Sequence, residues 1–296
     1  MSKKKTVYFK RSKYRVDDFE LNDLPLNRRQ QFFDIVKNDW KTLLWMGLIL
    51  LFFSLPYLSV DVLHWFIKGN LPTQLADDGG TPEMIASGIM LTDIIYEATL
   101  VVATLFIAVP LAGIARVFKR LVHGEGVLFK NDFFDGIKMN CWQFLVLMFI
   151  YAVLRFLVQI VFIYIQGIPY MAEIVYGVSM AILYIVFVPI LLFMFAEGSI
   201  YKMKFMMNFK NSSQLAFNSI LWMMIFSALI FGVYFMRYIN HPILRVGLDA
   251  LIILLSPLYL LALSLFTMSR FDKYINQENY PDIYRKGLRP LEKKEE

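Results

Sequence analysis

The sequence predicts an all-α polytopic membrane protein, with six transmembrane helices in three parallel hairpin repeats and with cytoplasmic amphipathic helices. Three observations predict this class: six long apolar runs, basic residues gathered in alternate connecting segments, and a short motif that recurs before apolar runs. Hydrophobic residues make up 58% of the chain and charged residues only 18%, against about a quarter charged in ordinary globular chains. A water-soluble fold would leave much of this apolar surface exposed to solvent.

Each apolar run is long enough to cross a bilayer, because a helix needs about 20 apolar residues to span the hydrocarbon core. Short turns join the third run to the fourth and the fifth to the sixth, so we expect helical hairpins there. The segment 64–93 is longer and rich in turn-forming residues, and we expect either a solvated external connector or an external binding loop. The predicted spans are residues 42–63, 94–118, 143–165, 174–196, 219–239 and 247–268.

Basic residues predict which side of the membrane each connecting segment occupies. Most of the 30 Lys and Arg residues lie before the first run, after the second, after the fourth and after the sixth. Because cytoplasmic loops carry an excess of Lys and Arg, we predict a multi-pass protein of the plasma membrane with both termini cytoplasmic. The chain then divides into a basic segment at 1–41, a membrane domain at 42–269 and a charged tail at 270–296. The same distribution favours the lipid bilayer as a partner over nucleic acid, despite the net charge of +6.

A short motif precedes three of the apolar runs. Residues 32–40 read FFDIVKNDW and residues 133–142 read FFDGIKMNCW, while FKN occurs at both 129–131 and 209–211. We interpret these matches as three copies of one unit, in which an amphipathic segment and a boundary tryptophan precede an outgoing and a returning span. The alternative is that a Phe-rich membrane chain produces such matches by chance. The predicted interfacial anchors are Trp40, Trp142 and Trp222.

The segments before these tryptophans mix apolar and charged residues. Helices of this kind either lie in the plane of the membrane interface or form a cytoplasmic collar that packs against another protein. The sequence leaves both interpretations open.

Several polar side chains fall in the outer half of the predicted spans. Arg155 lies well inside span three, where insertion scales assign an arginine about 2.5–3.5 kcal/mol of unfavourable free energy, so it needs a partner or an interior position. One interpretation is structural, with Arg155 paired to Glu97. The other is an outward-opening polar cavity with a functional role. This candidate intramembrane polar cluster comprises Asp93, Glu97, Arg155, Gln159, Arg237 and Asp249.

At the inner boundary, Arg116 and Glu197 stand at the ends of spans two and four. Their corresponding positions predict an interfacial salt bridge between them.

Motifs for catalysis and for metal or cofactor binding are missing from the sequence. The single cysteine, Cys141, excludes an intramolecular disulfide and a Cys-based metal site. The three histidines (His64, His123 and His241) are expected in separate loops on two sides of the membrane. There is no His-Glu-x-x-His, no phosphate-binding loop and no Gly-x-Ser-x-Gly elbow. We therefore predict no cofactor, no metal and no enzymatic activity.

Two stretches of the chain together carry a family resemblance. Their residues are Leu44-Trp45, Phe52-Phe53-Ser54-Leu55-Pro56, Pro110-Leu111-Ala112-Gly113, Arg116, Arg120-Leu121-Val122, Gly124-Glu125-Gly126, Phe129, Asp132-Phe133-Phe134, Ile137-Lys138 and Asn140. The pattern resembles the YesL-like family, six-span bacterial membrane proteins of unassigned biochemical function, over roughly residues 30–160 and elsewhere by topology only. Members of that family are often encoded beside carbohydrate ABC uptake systems. The long basic N-terminus and the segment 64–93 depart from the usual pattern.

The resemblance implies an accessory or assembly component beside ABC-type permease subunits in carbohydrate uptake. The alternative hypothesis is a stand-alone secondary transporter or channel that uses the polar residues around Arg155. A membrane enzyme is a third hypothesis, for which the sequence offers no positive motif.

Overall fold

The computed structural model describes residues 24–165, 169–201, 203–234, 239 and 241–290, and within them all regular secondary structure is helical. Two π-helical turns, Leu183–Phe187 and Asp272–Asn276, continue helices α6 and α10 into the helices that follow them. The helices are α1 (Arg28–Asn38), α2 (Trp40–Phe53), α3 (Leu55–Asp77), α4 (Pro82–Val122), α5 (Phe129–Ile165), α6 (Pro169–Ile182), α7 (Val188–Ile200), α8 (Phe205–Asn218), α9 (Ile220–Tyr234), α10 (Pro242–Phe271) and α11 (Gln277–Asn279).

Several of these helices are long and apolar enough to cross a membrane. Four stretches qualify on their own, and two bent pairs qualify together, α2 with α3 at 47° and α8 with α9 at 100°. The predicted all-helical class is therefore confirmed, and the four to six candidate spans among the described residues are consistent with a membrane protein. The three-repeat arrangement stays a prediction. The four unbroken stretches are Pro82–Val122, Phe129–Ile165, Glu173–Ile200 and Ile243–Asn279.

Proline positions explain the break between α2 and α3 and the π-helical turn between α6 and α7. Pro56 occupies the first turn of α3, and because proline has no N–H it cannot continue the hydrogen-bond ladder of α2. Pro189 likewise opens α7. Just before it, the Val188 N–H bonds the carbonyl of Leu183, five residues back, which is the π-helical pattern. The fourth span therefore stays continuous across its proline.

The expectation of a loop throughout 64–93 is wrong, while the external location of this segment stays a prediction. Helix α3 continues to Asp77 and α4 begins at Pro82, so the connection is only the turn at 78–81. The Thr81 side chain caps α4 by accepting a hydrogen bond from the Met84 N–H at 3.4 Å. The turn-forming residues of this segment suggest irregular structure there, but helix formation depends on backbone preference as well as on hydrophobicity.

Helices α4 and α5 pack closely because glycines line their crossing. A Cβ added at Gly136 would lie 2.8 Å from the Ala112 carbonyl oxygen and 2.9 Å from the Gly113 Cα. A buried apolar core extends from this crossing to α2, α7 and α10, and it includes Met46, Leu147 and Phe193. The close approach fixes the relative position of the two helices that carry Glu97 and Arg155.

The two ends of the described chain meet beside the turn between α4 and α5. Arg28 donates to the Asp272 carboxylate at 2.7 Å and to the Lys286 carbonyl at 3.1 Å. Gln31 donates to the Val122 carbonyl at 2.7 Å and to the Gly287 carbonyl at 3.4 Å. Burial lowers the pKa of Arg28, while the Asp272 carboxylate opposes this shift. We name this cluster the terminal clasp; its members are Arg28, Gln31, Val122, Asp272, Lys286 and Gly287.

The clasp places both described ends at one end of the helix bundle, and the side of the membrane that this end faces stays a prediction. The predicted boundary at 269/270 falls inside α10, which ends at Phe271 and continues through the π-helical turn into α11. The last described residues therefore pack as part of the bundle.

Candidate functional site

Glu97 and Arg155 form a buried ion pair between α4 and α5. The Arg155 guanidinium donates to the Glu97 carboxylate, and the two side chains are only 9% and 5% exposed. This is the pairing that the structural interpretation of the sequence predicts. A charge inside an apolar helix is tolerated when a partner neutralises it. The pair therefore accounts for the presence of an arginine at this depth.

Two other predicted polar residues bind different partners. Gln159 lies one turn beyond Arg155 and donates to the Tyr176 hydroxyl of α6 at 3.3 Å. Asp93 accepts hydrogen bonds from His64 at 2.8 Å and from Lys68 at 2.8 Å and 2.9 Å, both on α3. Lys68 is 45% exposed, so this group reaches the surface of the bundle.

A second buried ion pair joins α3 to α10. The Arg245 guanidinium donates to Asp61, and the Tyr96 hydroxyl donates to the same carboxylate at 2.6 Å. The Tyr96 ring also stacks on His64, with centroids 3.8 Å apart. Both charged side chains are at most 10% exposed. Tyr96 therefore connects the buried pair to His64 and, through it, to Asp93 nearer the surface.

Sequence reasoning missed Asp61, although a signal was present. Asp61 is the one Asp, Glu, Lys or Arg within the apolar run 42–63, which marks it as a residue that needs a partner. His64 was expected in a loop and instead lies in α3. Of the remaining predicted members, Asp249 lies one turn beyond Arg245 on α10 and is half-buried. Arg237 lies outside the described residues.

The predicted boundary pair of Arg116 and Glu197 is not formed among the described residues. Arg116 directs its guanidinium to the Met139 sulfur at 3.2 Å. Glu197 is fully buried against α8 and accepts from the Ser212 hydroxyl at 2.8 Å. The physical reason is rotational, because Glu197 faces α8 whereas Arg116 faces α5. Matching depth along two spans does not place side chains on facing sides.

The three predicted interfacial tryptophans all lie on the outside of the bundle. Trp40, Trp142 and Trp222 are 53%, 78% and 56% exposed. Their local settings differ, because α5 runs unbroken through Trp142 whereas interruptions of the helix at Asp39 and Ser219 precede Trp40 and Trp222. Outward-facing indoles suit a membrane boundary, where the ring is apolar and the N–H reaches water.

An apolar cavity of about 260 Å³ lies among α4, α5, α7 and α10. Leu111, Phe144, Leu191 and Leu260 are among the side chains that line it. The charged or imidazole side chains among its described lining residues are Lys119 and His123, which stand together at the end nearest the terminal clasp. The ion pairs therefore lie toward the opposite end of the bundle from this polar mouth.

The described residues contain no group of three or more His, Cys, Asp or Glu side chains placed to hold a metal ion. Comparison of the chain with family models, with curated proteins and with solved structures found no match.

Proposed function

We propose that the chain is a non-catalytic integral membrane protein of a bacterial plasma membrane and an accessory or assembly component of a carbohydrate uptake system. The resemblance to the YesL-like family supports the assignment to uptake. The partner would be an ABC-type permease subunit.

The single observation that carries the non-transporting role is the mutual neutralisation of the intramembrane charges. Glu97 pairs with Arg155, and Asp61 pairs with Arg245 while also accepting from Tyr96. A pathway for a polar solute needs polar groups that contact the solute or water. The cavity of the described bundle is instead apolar. These features support a role in which the ion pairs stabilise the packing of the helices and do not form a pathway for a solute.

Helix α8 supports a contact with another membrane protein. It turns by 100° from α9 and buries Asn208, Ser212 and Leu215 against the bundle. Its opposite face exposes Met206 at 73% and Phe217 at 56%. An apolar face of this kind is a binding surface when it is not solvated by lipid. We therefore assign the predicted collar contact to this face.

Purification in a gentle detergent tests the proposal. The protein is expressed with an affinity tag in its native cells, crosslinked and isolated, and co-purifying membrane proteins are identified by mass spectrometry. The proposal expects permease subunits, which Met206→Ser should release and Met84→Ser, at a 56% exposed position near the other end of the bundle, should retain. Recovery of the chain with no other membrane protein would refute the accessory role.

A second candidate, the stand-alone transporter, has one specific observation in its favour. The Lys68, Asp93 and His64 group connects the partly exposed surface of the bundle to the buried Asp61 through Tyr96. This candidate expects solute flux into proteoliposomes that Arg155→Ala abolishes in a protein that still folds. Absent flux, or flux unchanged by that substitution, removes it.

A further inference from the structure

The cavity among α4, α5, α7 and α10 has walls like hydrocarbon and room for a short chain. A cavity of about 150 Å³ lined by Leu, Ile and Phe binds benzene, which has six carbon atoms. By the same proportion, the cavity of about 260 Å³ has room for roughly ten carbon atoms. Ligand sites are commonly apolar enclosures with a few polar groups that fix orientation. The observed lining has this composition.

Two polar residues stand at the mouth of the cavity, Lys119 in the last turn of α4 and His123 directly after that helix. The His123 side chain lines the cavity and is only 3% exposed, and its buried Nε2 makes no hydrogen bond with the described residues. A buried polar atom without a partner is unfavourable by about 1–3 kcal/mol on mutational scales, so a ligand whose head displaces the atoms that cover this nitrogen and bonds it would be stabilised there. This nitrogen is an observation separate from the cavity itself.

Lys119 supplies positive charge at the same mouth. Its ammonium donates to the Ile200 carbonyl at 3.0 Å, and both residues line the cavity. His123 stays neutral near pH 7, because burial and the nearby Lys286 lower its pKa to about 4 against the opposing effect of Glu125. A neutral imidazole can donate from one ring nitrogen, so the mouth offers donors and a net positive charge. This combination suits an anionic group.

We propose that the cavity binds a single-chain amphiphile of about ten carbon atoms whose anionic head, a carboxylate or a phosphate, accepts hydrogen bonds from Lys119 and His123. The head lies beside the turn between α4 and α5, and the chain points into the bundle between α5 and α10. A fatty acid and a lipid phosphate share this chemistry.

Photoaffinity labelling in phosphatidylcholine nanodiscs tests the site. Three probes carry a diazirine at the tenth carbon: decanoate, decyl phosphate and the neutral decanol. Labelled residues are located by peptide mass spectrometry, with excess unlabelled decanoate or decyl phosphate as competitor. Saturable labelling of cavity residues by an anionic probe, at least tenfold above decanol, is expected. The stronger of the two anionic probes distinguishes a fatty acid from a lipid phosphate.

Matched variants separate the cavity from the lipid-facing surface. Ala115→Leu fills the cavity, whereas Ala98→Leu makes the same change at an exposed position of the same helix. Lys119→Met removes the charge at the mouth, and Lys138→Met removes an exposed lysine of α5. Labelling by the preferred anionic probe should fall at least tenfold in Ala115→Leu and Lys119→Met and stay within twofold of wild type in both controls.

Ser264→Leu, on α10, fills the same cavity from the opposite wall. Its labelling replaces that of Ala115→Leu if the latter variant does not give a monodisperse protein. Equal labelling of the cavity by all three probes would identify ordinary lipid tails in an apolar gap and would overturn the proposal. Labelling that survives cavity filling, or that falls equally in Lys119→Met and Lys138→Met, would overturn it as well.

Discussion

Removing the Arg155 guanidinium alone should destabilise the protein far more than removing both charges of its ion pair. In Arg155→Met the Glu97 carboxylate keeps its buried position, with a side chain only 5% exposed, but loses the guanidinium that neutralises it. Leaving one member of a buried pair unpaired reduces the free energy of unfolding by about 3–5 kcal/mol in soluble proteins. Because methionine retains an apolar side chain of similar length, Arg155→Met separates the loss of the charge from the loss of methylene packing.

The double substitution Glu97→Met with Arg155→Met removes both charges and retains much of the side-chain volume. Replacing a buried pair by apolar residues is often neutral or stabilising by about 1–4 kcal/mol, so the double variant should be at least as stable as wild type to within about 1 kcal/mol. Stability is measured as the free energy of reversible unfolding in mixed micelles with increasing SDS, followed by circular dichroism. Arg29→Met, at an exposed position, is the control and should change stability by less than about 0.5 kcal/mol.

A double variant as unstable as Arg155→Met would show that the two charges do not act on each other. The buried pair would then not be the reason why α4 and α5 tolerate ionisable residues at this depth. Equal losses in Arg155→Met and Arg29→Met would refute the same reasoning by another route.

Three further predictions concern packing, pH and topology. Gly136→Ala should destabilise the protein by about 1–3 kcal/mol, because the added Cβ would lie 2.8 Å from the Ala112 carbonyl oxygen. Gly69→Ala should be neutral or slightly stabilising, because its added Cβ has no neighbour within 4 Å. SDS unfolding compares the stability of the two variants. His123 has a pKa of 6.5 unfolded and about 4 folded. The unfolded chain therefore binds the proton first, and the free energy of unfolding should decrease by up to about 3 kcal/mol as the pH falls through this window. His123→Gln should lack that component in a pH series. A reporter enzyme fused after the last residue should be active in the cytoplasm; activity outside the cell would refute the predicted topology.

The ion pair between α4 and α5 could be predicted from sequence because its members lie in successive spans. Glu97 and Arg155 lie at similar distances along α4 and α5 from the turn that joins them, and an arginine within an apolar helix needs a partner. The pair of Asp61 and Arg245 has a sequence separation of 184. Its prediction would require knowing that α3 lies beside α10, which no local pattern reports.

Composition predicted helices correctly where the chain is apolar and failed where it is polar. The segment after residue 63 continues as helix α3 to Asp77, because helix formation depends on backbone preference as well as on hydrophobicity. The cavity beside His123 could not be predicted, since a space between side chains depends on how four helices pack. The missing contact between Arg116 and Glu197 has the same origin, because sequence gives depth along a span more readily than rotation about its axis.

The terminal clasp sets an order for the biogenesis of this protein. Arg28 and Asp272 are 244 positions apart, and at roughly 5–20 residues per second their syntheses are separated by on the order of 10–50 s. Throughout that interval α1 has been made, yet the carboxylate that receives its arginine has not. Helix α1 can therefore bond the Val122 carbonyl of α4 early but completes the clasp only after α10 has been made, and a chain that stops short of Asp272 leaves Arg28 without that carboxylate.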